Sequence, residues 1–245
     1  MALEETVLDG ENMTNLLKAN WDISCASYRK LPIGTANCFT VNDGSNTYFL
    51  KEYQSYIEDC DIIREENILE KLKNYEIPST DFIETVSREK MVKYKGHRFV
   101  LQKYMSGQSY GYNDFPEEML PQMAVMLAKI HIALKDMELP VDMDAAWVNG
   151  DAVSKYDNIL EVLEQHREDS LYKQIKEDLL YKRTVLQKNQ DIFRRYFEGI
   201  TYSPSHGDYQ GCQIIGENNR IKAVIDFTSA RKLPVVWELM RSFVQ

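Results

Sequence analysis

The stretch "SHGDYQGCQIIGENNRIKAVIDF", Ser205 to Phe227, decides how the rest of the chain is read. It sets His206, Asp208, Gln213 and Asp226 around two short apolar runs joined by "GENNR". Two such runs flanking a Gly- and Asn-rich link predict a hairpin. Counting back from a turn near Glu217 to Asn219 sets Gln213 roughly opposite Ala223 to Asp226. An amide oxygen and a carboxylate then share one end of adjacent strands. That pair suits a hard cation such as Mg²⁺, which takes oxygen ligands. Asp208, on the loop entering the first strand, is placed to face a substrate. Taken singly, each Asp more often just caps a turn or a helix. His206, beside Gly207, reads as a structural histidine bonded to a backbone carbonyl. His131 reads as a core histidine, and His97 and His166 as surface residues. Four scattered histidines do not make a zinc site.

Outward from this stretch, the chain of 245 residues is 44% hydrophobic and 27% charged, which suits a globular protein with one large domain or two lobes. Its net charge of −9 comes from 29 basic and 38 acidic residues, which argues against a general nucleic-acid partner. Cys25, Cys38, Cys60 and Cys212 have neither metal-site nor redox spacing. They read as reduced thiols of a cytoplasmic protein. The start "MALEETVLDGE" lacks the apolar segment of a signal peptide, and no run reaches membrane-spanning length.

The first hundred residues read as strand-rich. "SYRKL", "ANCFTV", "TYFLKEY" and "HRFVLQKYM" predict strands, with Asp43-Gly44 turning the second into the third. "DIIREENILEKLKNY" predicts a helix with Ile62, Glu65, Leu69 and Leu72 on one seam. From about Pro116 the periodicity turns helical. "PEEMLPQMAVMLAKIHIAL", "YDNILEVLEQH", the long segment "SLYKQIKEDLLYKRTVLQKNQDIFRRYF" and "VVWELMRSFV" are the candidate helices. The expected organisation is a strand-rich lobe over residues 1–105 and a helical lobe over 106–245 that carries the hairpin.

The ordered set of motifs resembles the aminoglycoside phosphotransferase and choline kinase-like family. His206-Gly207-Asp208 and the Asp226 of "IDF" match its catalytic segment. The resemblance extends over "IGTANCFTV", "YFLKEY", "REENILEKL", "FVLQKYMSGQS" and "LAKIHIAL", from about Ile23 to Met240. It implies an α+β, two-lobed, protein-kinase-like fold with an antiparallel-sheet N-lobe. It also implies a kinase that moves the γ-phosphate of ATP or GTP to a small-molecule hydroxyl. By the same resemblance, Lys51 binds the nucleotide phosphates and Glu65, or less favourably Glu66, holds its ammonium. The loop around Gly34 covers the phosphates, and Gln102 and Tyr104 belong to the strand and hinge that hold the base. Asp226 and Gln213 ligate Mg²⁺, and Asp208 orients the acceptor hydroxyl and takes its proton.

Two positions depart from the family pattern. Gln213 replaces the metal-binding Asn, and Glu238 stands where an Asp-Leu pair is usual. The helices that follow in other members are expected to be short or missing. Among residues with an acceptor-side role to test are Asp151, Asp157, Glu161 and Glu164, which either draw a cationic substrate or are solvated helix faces. Two other readings stay open: a non-catalytic nucleotide-binding protein of the same fold, and a metal-dependent hydrolase using His206, Asp208 and Asp226.

Overall fold

The computed structural model describes residues 6–32, 36–111, 113–141, 151–197 and 199–242. Five strands, β1 (Ser27–Leu31), β2 (Asn37–Asn42), β3 (Thr47–Tyr53), β4 (Val92–Tyr94) and β5 (His97–Lys103), form one antiparallel sheet in the order β1-β2-β3-β5-β4. The β2–β3 turn forms where Asp43-Gly44 predicts it: Gly44 takes φ +99°, and the Asp43 carboxylate accepts from the Ser45 and Asn46 amides at 2.8 and 2.7 Å.

Side chains alternate across a strand, so the register sorts this sheet into two faces. Phe39, Val41, Leu50, Phe99 and Leu101 lie on the outer face, under Met13, Leu16, Leu17 and Trp21 of α1 (Gly10–Trp21). Each of these buried side chains contributes about 1.5–3 kcal/mol of apolar burial. The sequence reading assigned no element to α1. Its signals are short: Asp9 caps the Asn12 amide at 2.8 Å, and the apolar residues recur at helical spacing only from Met13 to Trp21.

The inner face carries Lys51 and Val100 and meets α2 (Asp59–Asn74), whose seam of Ile62, Glu65, Ile68, Leu69 and Leu72 is buried as the periodicity predicts. The same core continues through Met123, Leu127, Ile130 and Leu134 of α3 (Leu120–Leu134) to Tyr209, Ile214, Val224 and Phe227. The fold is two-lobed: an antiparallel sheet lobe and a mostly helical lobe. The helical lobe adds α4 (Asp151–Leu163), α5 (Tyr172–Phe197) and α6 (Val235–Ser242). Two small antiparallel pairs sit within it: β6 (Tyr202–Ser205) with β9 (Arg231–Pro234), and the hairpin β7 (Ile214–Glu217) with β8 (Arg220–Val224). The sequence reading missed β4, β6 and β9; each is three or four residues long, and Pro204 sits inside β6. No helix among the described residues is long and apolar enough to cross a membrane.

Candidate active site

The β7–β8 hairpin fixes the register of its flanks. The Ile225 amide donates to the Gln213 carbonyl at 3.0 Å, so Gln213 stands opposite Ile225, inside the interval counted from the sequence. Cys212 and Gln213 form a 3₁₀ turn ahead of the strand, which begins at Ile214. His206 is fully buried. Its Nδ1 accepts from the Asp208 amide at 3.2 Å, and its Nε2 lies 3.0 Å from the Ile225 carbonyl. A carbonyl only accepts, so the ring is the Nε2–H tautomer with both nitrogens in use. It is the structural histidine expected, a strut between the Asp208 loop and the Asp226 segment. No three His, Cys, Asp or Glu side chains gather into a metal-ligand group among the described residues. The hydrolase arrangement of His206, Asp208 and Asp226 is therefore not formed.

Gly207 lies in the left-handed region, at φ +85°, and a Cβ there would fall 2.0 Å from the Ser229 carbonyl oxygen. Its amide donates to Glu238 Oε1 at 3.1 Å. Glu238 is fully buried on α6, with His131 Nε2 3.6 Å from Oε2. Burial pushes the Glu238 carboxyl up; the neighbouring His131 leads the effects that outweigh it and hold the pKa below the usual range. Glu238 is thus a brace for the His-Gly-Asp loop, and its extra methylene over Asp reaches the Gly207 amide.

From the sheet lobe, Lys51 Nζ lies 2.9 Å from Asp226 Oδ1, 2.8 Å from Thr228 Oγ1 and 3.7 Å from Glu65 Oε2. Glu66 points elsewhere, to Lys90 at 3.8 Å, so of the two candidates it is Glu65 that meets Lys51. The Tyr53 hydroxyl donates to Glu65 Oε2 at 2.8 Å, while Glu65 Oε1 is buried with no hydrogen-bond partner among the described residues. Burial disfavours the Lys51 ammonium, yet Asp226 and Glu65 raise its pKa above the ordinary value. Desolvation likewise pushes Asp226 up, but Lys51 and Thr228 bring it down to about 2. The pair is ionised throughout the neutral range.

Asp208 is surrounded by donors. Gln210 Nε2 lies 3.0 and 3.2 Å from its two oxygens, Gln213 Nε2 is 3.0 Å from Oδ2, and Arg241 places Nη2 at 2.6 Å and Nε at 3.0 Å from Oδ1. The nitrogen end of the Gln213 amide is tied to Asp208, which separates it from the oxygen end that a metal would use.

Paired residues share a face, so Arg29, Thr40, Phe49 and Gln102 form a row on the Lys51 side of the sheet, two residues along from it. Gln102 is buried at 6% exposure. Tyr104 lines a cavity of about 320 Å³ with Ser27, Arg29, Thr40, Asn42 and Thr47 at the end of this row. Gly34 lies outside the described residues. Cys38, paired with Lys51 in the register, is buried, which pushes its thiol up to about 11.

Of the acids weighed for drawing a cation, Asp157 is paired with Arg183 at 2.6 Å, and Glu164 accepts from Tyr172 at 2.8 Å and pairs with Lys176 and Arg167. Their charge is spent within the α4–α5 region. The side chain of Asp151 is outside the described residues. His97, expected at the surface, is partly exposed and lies 2.9 Å from the buried Glu52.

The sequence reading missed Thr228 and Arg241. Thr228 lies two residues past Asp226, close enough for its hydroxyl to serve that carboxylate. Arg241 falls one helical turn after Glu238 on α6, so fixing Glu238 to Gly207 also aims Arg241 toward Asp208.

The profile of the phosphotransferase enzyme family matches residues 27–244. Comparison with curated proteins gives no match. Among solved structures, a spectinomycin phosphotransferase in complex with ADP and spectinomycin is 16% identical, with TM-score 0.71 over 94% of this chain and 71% of that one. An amicoumacin kinase in complex with AMP-PNP and Ca²⁺ is 10% identical, with TM-score 0.70 over 96% and 68%. A microcompartment-associated aminopropanol kinase is 15% identical, with TM-score 0.65 over 96% and 74%. These likenesses share the two-lobed fold, and with the family profile spanning nearly the whole chain, this protein belongs to the phosphotransferase enzyme family.

Proposed function

We propose that the protein transfers the γ-phosphoryl group of ATP or GTP to a hydroxyl of a small molecule. One observation carries this reading: Lys51 of the sheet lobe and Asp226 of the helical lobe meet at 2.9 Å, and Gln213, whose carbonyl bonds the residue before Asp226, also reaches Asp208 at 3.0 Å. Phosphoryl transfer needs mainly positioning and charge neutralisation, and this set of groups supplies both. That similar structures hold ADP or AMP-PNP, one of them with Ca²⁺, supports a nucleotide co-substrate and a divalent cation.

Lys51 binds the nucleotide phosphates. Glu65, with a buried oxygen lacking a partner, takes up the ammonium as Asp226 is relieved of it. Gln102, in the row with Thr40 and Phe49, borders the base together with Tyr104, and the loop at Gly34 covers the phosphates. A magnesium ion fits the chemistry of the donors, an ionised Asp226 carboxylate and the Gln213 amide oxygen, and when bound it neutralises phosphate charge. Asp208 accepts a hydrogen bond from the acceptor hydroxyl. As the acceptor oxygen bonds to the γ-phosphorus, the bond to the bridging oxygen breaks, the nucleoside diphosphate leaves and the hydroxyl proton passes to Asp208.

The test is Asp208→Asn. It keeps Mg²⁺-dependent nucleotide binding, read by thermal shift, and loses transfer to every acceptor. Turnover at the wild-type rate would remove Asp208 from the chemistry. Tight nucleotide binding by the wild-type protein without transfer to any hydroxyl compound would point to the non-catalytic reading.

A further inference from the structure

Among the described residues, Arg241 is the one side-chain donor to the Asp208 carboxylate that comes from outside the Asp208 loop. Gln210 and Gln213 lie two and five residues along the chain, whereas Arg241 lies on α6, 33 residues away. The guanidinium places two nitrogens on Oδ1, while the two amides supply donors to both oxygens. A carboxylate offers about four acceptor positions. An acceptor hydroxyl that donates to Asp208 must therefore displace one of these bonds. The Arg241 side chain is one-third exposed and long, so it has room to turn toward a ligand, and as the charged donor to Asp208 it is the one for which an incoming anion competes.

A guanidinium does not lose its proton, so the charge stays beside the reacting hydroxyl after it moves. Its planar fork is matched by a carboxylate or phosphate. A cationic acceptor would bring like charge to the same place. Two of the acids weighed for drawing a cation, Asp157 and Glu164, are already paired with Arg183, Lys176 and Arg167.

We propose that Arg241 selects the acceptor, favouring a short hydroxy acid whose carboxylate lies next to the phosphorylated hydroxyl over a cationic amino alcohol or aminoglycoside. This rests on the phosphotransfer reading above. On it, the acceptor leaves Asp208 the hydroxyl and gives Arg241 the carboxylate in exchange, and the Asp208–Arg241 pair covers the site until such an acceptor arrives.

The test compares D-glycerate with glyceramide, glycerol and 1-amino-2-propanol as acceptors, on wild type, Arg241→Gln and Arg241→Lys, by nucleoside diphosphate release. Wild type should favour glycerate over glyceramide at least tenfold in kcat/KM. Arg241→Gln should erase that preference, chiefly by raising the KM for glycerate, and Arg241→Lys should restore part of it. Equal or better use of glyceramide or 1-amino-2-propanol, or an unchanged preference in Arg241→Gln, overturns the proposal. If no acceptor is turned over, calorimetric titration of D-glycerate into the AMP-PNP-loaded protein decides, and absence of binding also overturns it. Failure of the phosphotransfer reading shows separately, as absence of any Mg²⁺-dependent nucleotide thermal shift in the wild type, and takes this inference with it.

Discussion

Gly207 and Ser229 touch backbone to backbone: a Cβ on Gly207 would sit 2.0 Å from the Ser229 carbonyl oxygen. This contact joins the segment that carries Asp208 to the one that carries Asp226 and Thr228. Gly207 also holds φ +85°, a conformation L side chains rarely adopt. Gly207→Ala therefore incurs left-handed strain of about 1–2 kcal/mol and a clash with backbone that has nowhere to go. The expected loss is about 3 kcal/mol, a fall in Tm of roughly 6–12 °C, with turnover falling more than the unfolded fraction explains. Thermal unfolding and kcat on the folded protein measure both. An unchanged Tm would mean the two segments are not in contact.

Thr228 has one proton and two claimants, Glu65 and Asp226. Its hydroxyl accepts from Lys51 at 2.8 Å and lies 2.8 Å from both Glu65 Oε2 and Asp226 Oδ1, so it can donate to only one of them at a time. Thr228→Val keeps the shape and removes the hydroxyl, leaving a buried ammonium and carboxylate each one bond short. A loss of about 1–3 kcal/mol in stability follows, with nucleotide affinity weakened roughly tenfold. Thr228→Ser should recover both in nucleotide titrations. Wild-type affinity in Thr228→Val would show that the hydroxyl does not position Lys51.

These two sites mark how far local pattern reaches. The hairpin register, the Glu65 seam and the Asp43-Gly44 turn were legible because strand alternation, helix period and turn chemistry are properties of neighbouring residues. Lys51 and Asp226 were placed in one cleft only by an ordered set of motifs, since nothing local links residues 175 positions apart. Thr228 and Arg241 went unseen for the same reason: a threonine after a strand and an arginine on an exposed helix are ordinary until the fold carries them to a carboxylate. Glu238 stood out as a departure from the family pattern, and its reach to the Gly207 amide gives that departure a physical purpose. The unanticipated α1 covers an outer sheet face whose apolar residues were visible but whose partner was not.

Acid should unfold the protein partly through Asp226. Its carboxyl ordinarily titrates at 3.8 and is held at about 2 in the folded protein. Between those values the unfolded chain binds more protons, so the stabilisation is complete above the unfolded pKa and is lost as pH falls through 3.8 toward 2. The carboxylate is 43% exposed, so solvent screening leaves about 1 kcal/mol of this contribution. Urea unfolding of wild type and Asp226→Asn should show a stability gap at pH 6 that narrows by pH 3. A gap of constant size would mean the Lys51–Asp226 pair does not set the carboxylate's pKa.

The proposed roles of Gln213 fall on the two ends of its amide. Its nitrogen donates to Asp208 Oδ2 at 3.0 Å, and its oxygen is the end suited to a divalent cation beside Asp226. Gln213→Ala removes both, and should raise the Mg²⁺ concentration for half-maximal turnover by about 10–100-fold, as loss of a metal-site partner commonly does. Gln213→Glu keeps an oxygen and loses the donor, placing a second carboxylate against Asp208. It should hold Mg²⁺ at least as tightly as wild type yet turn over more slowly, because Asp208 then shares its surroundings with a like charge. Magnesium titrations of turnover in the two variants distinguish the ends. If Gln213→Ala leaves the magnesium requirement unmoved while slowing transfer, the side chain serves Asp208 alone, and Asp226 is the only one of the two proposed ligands to bind the ion.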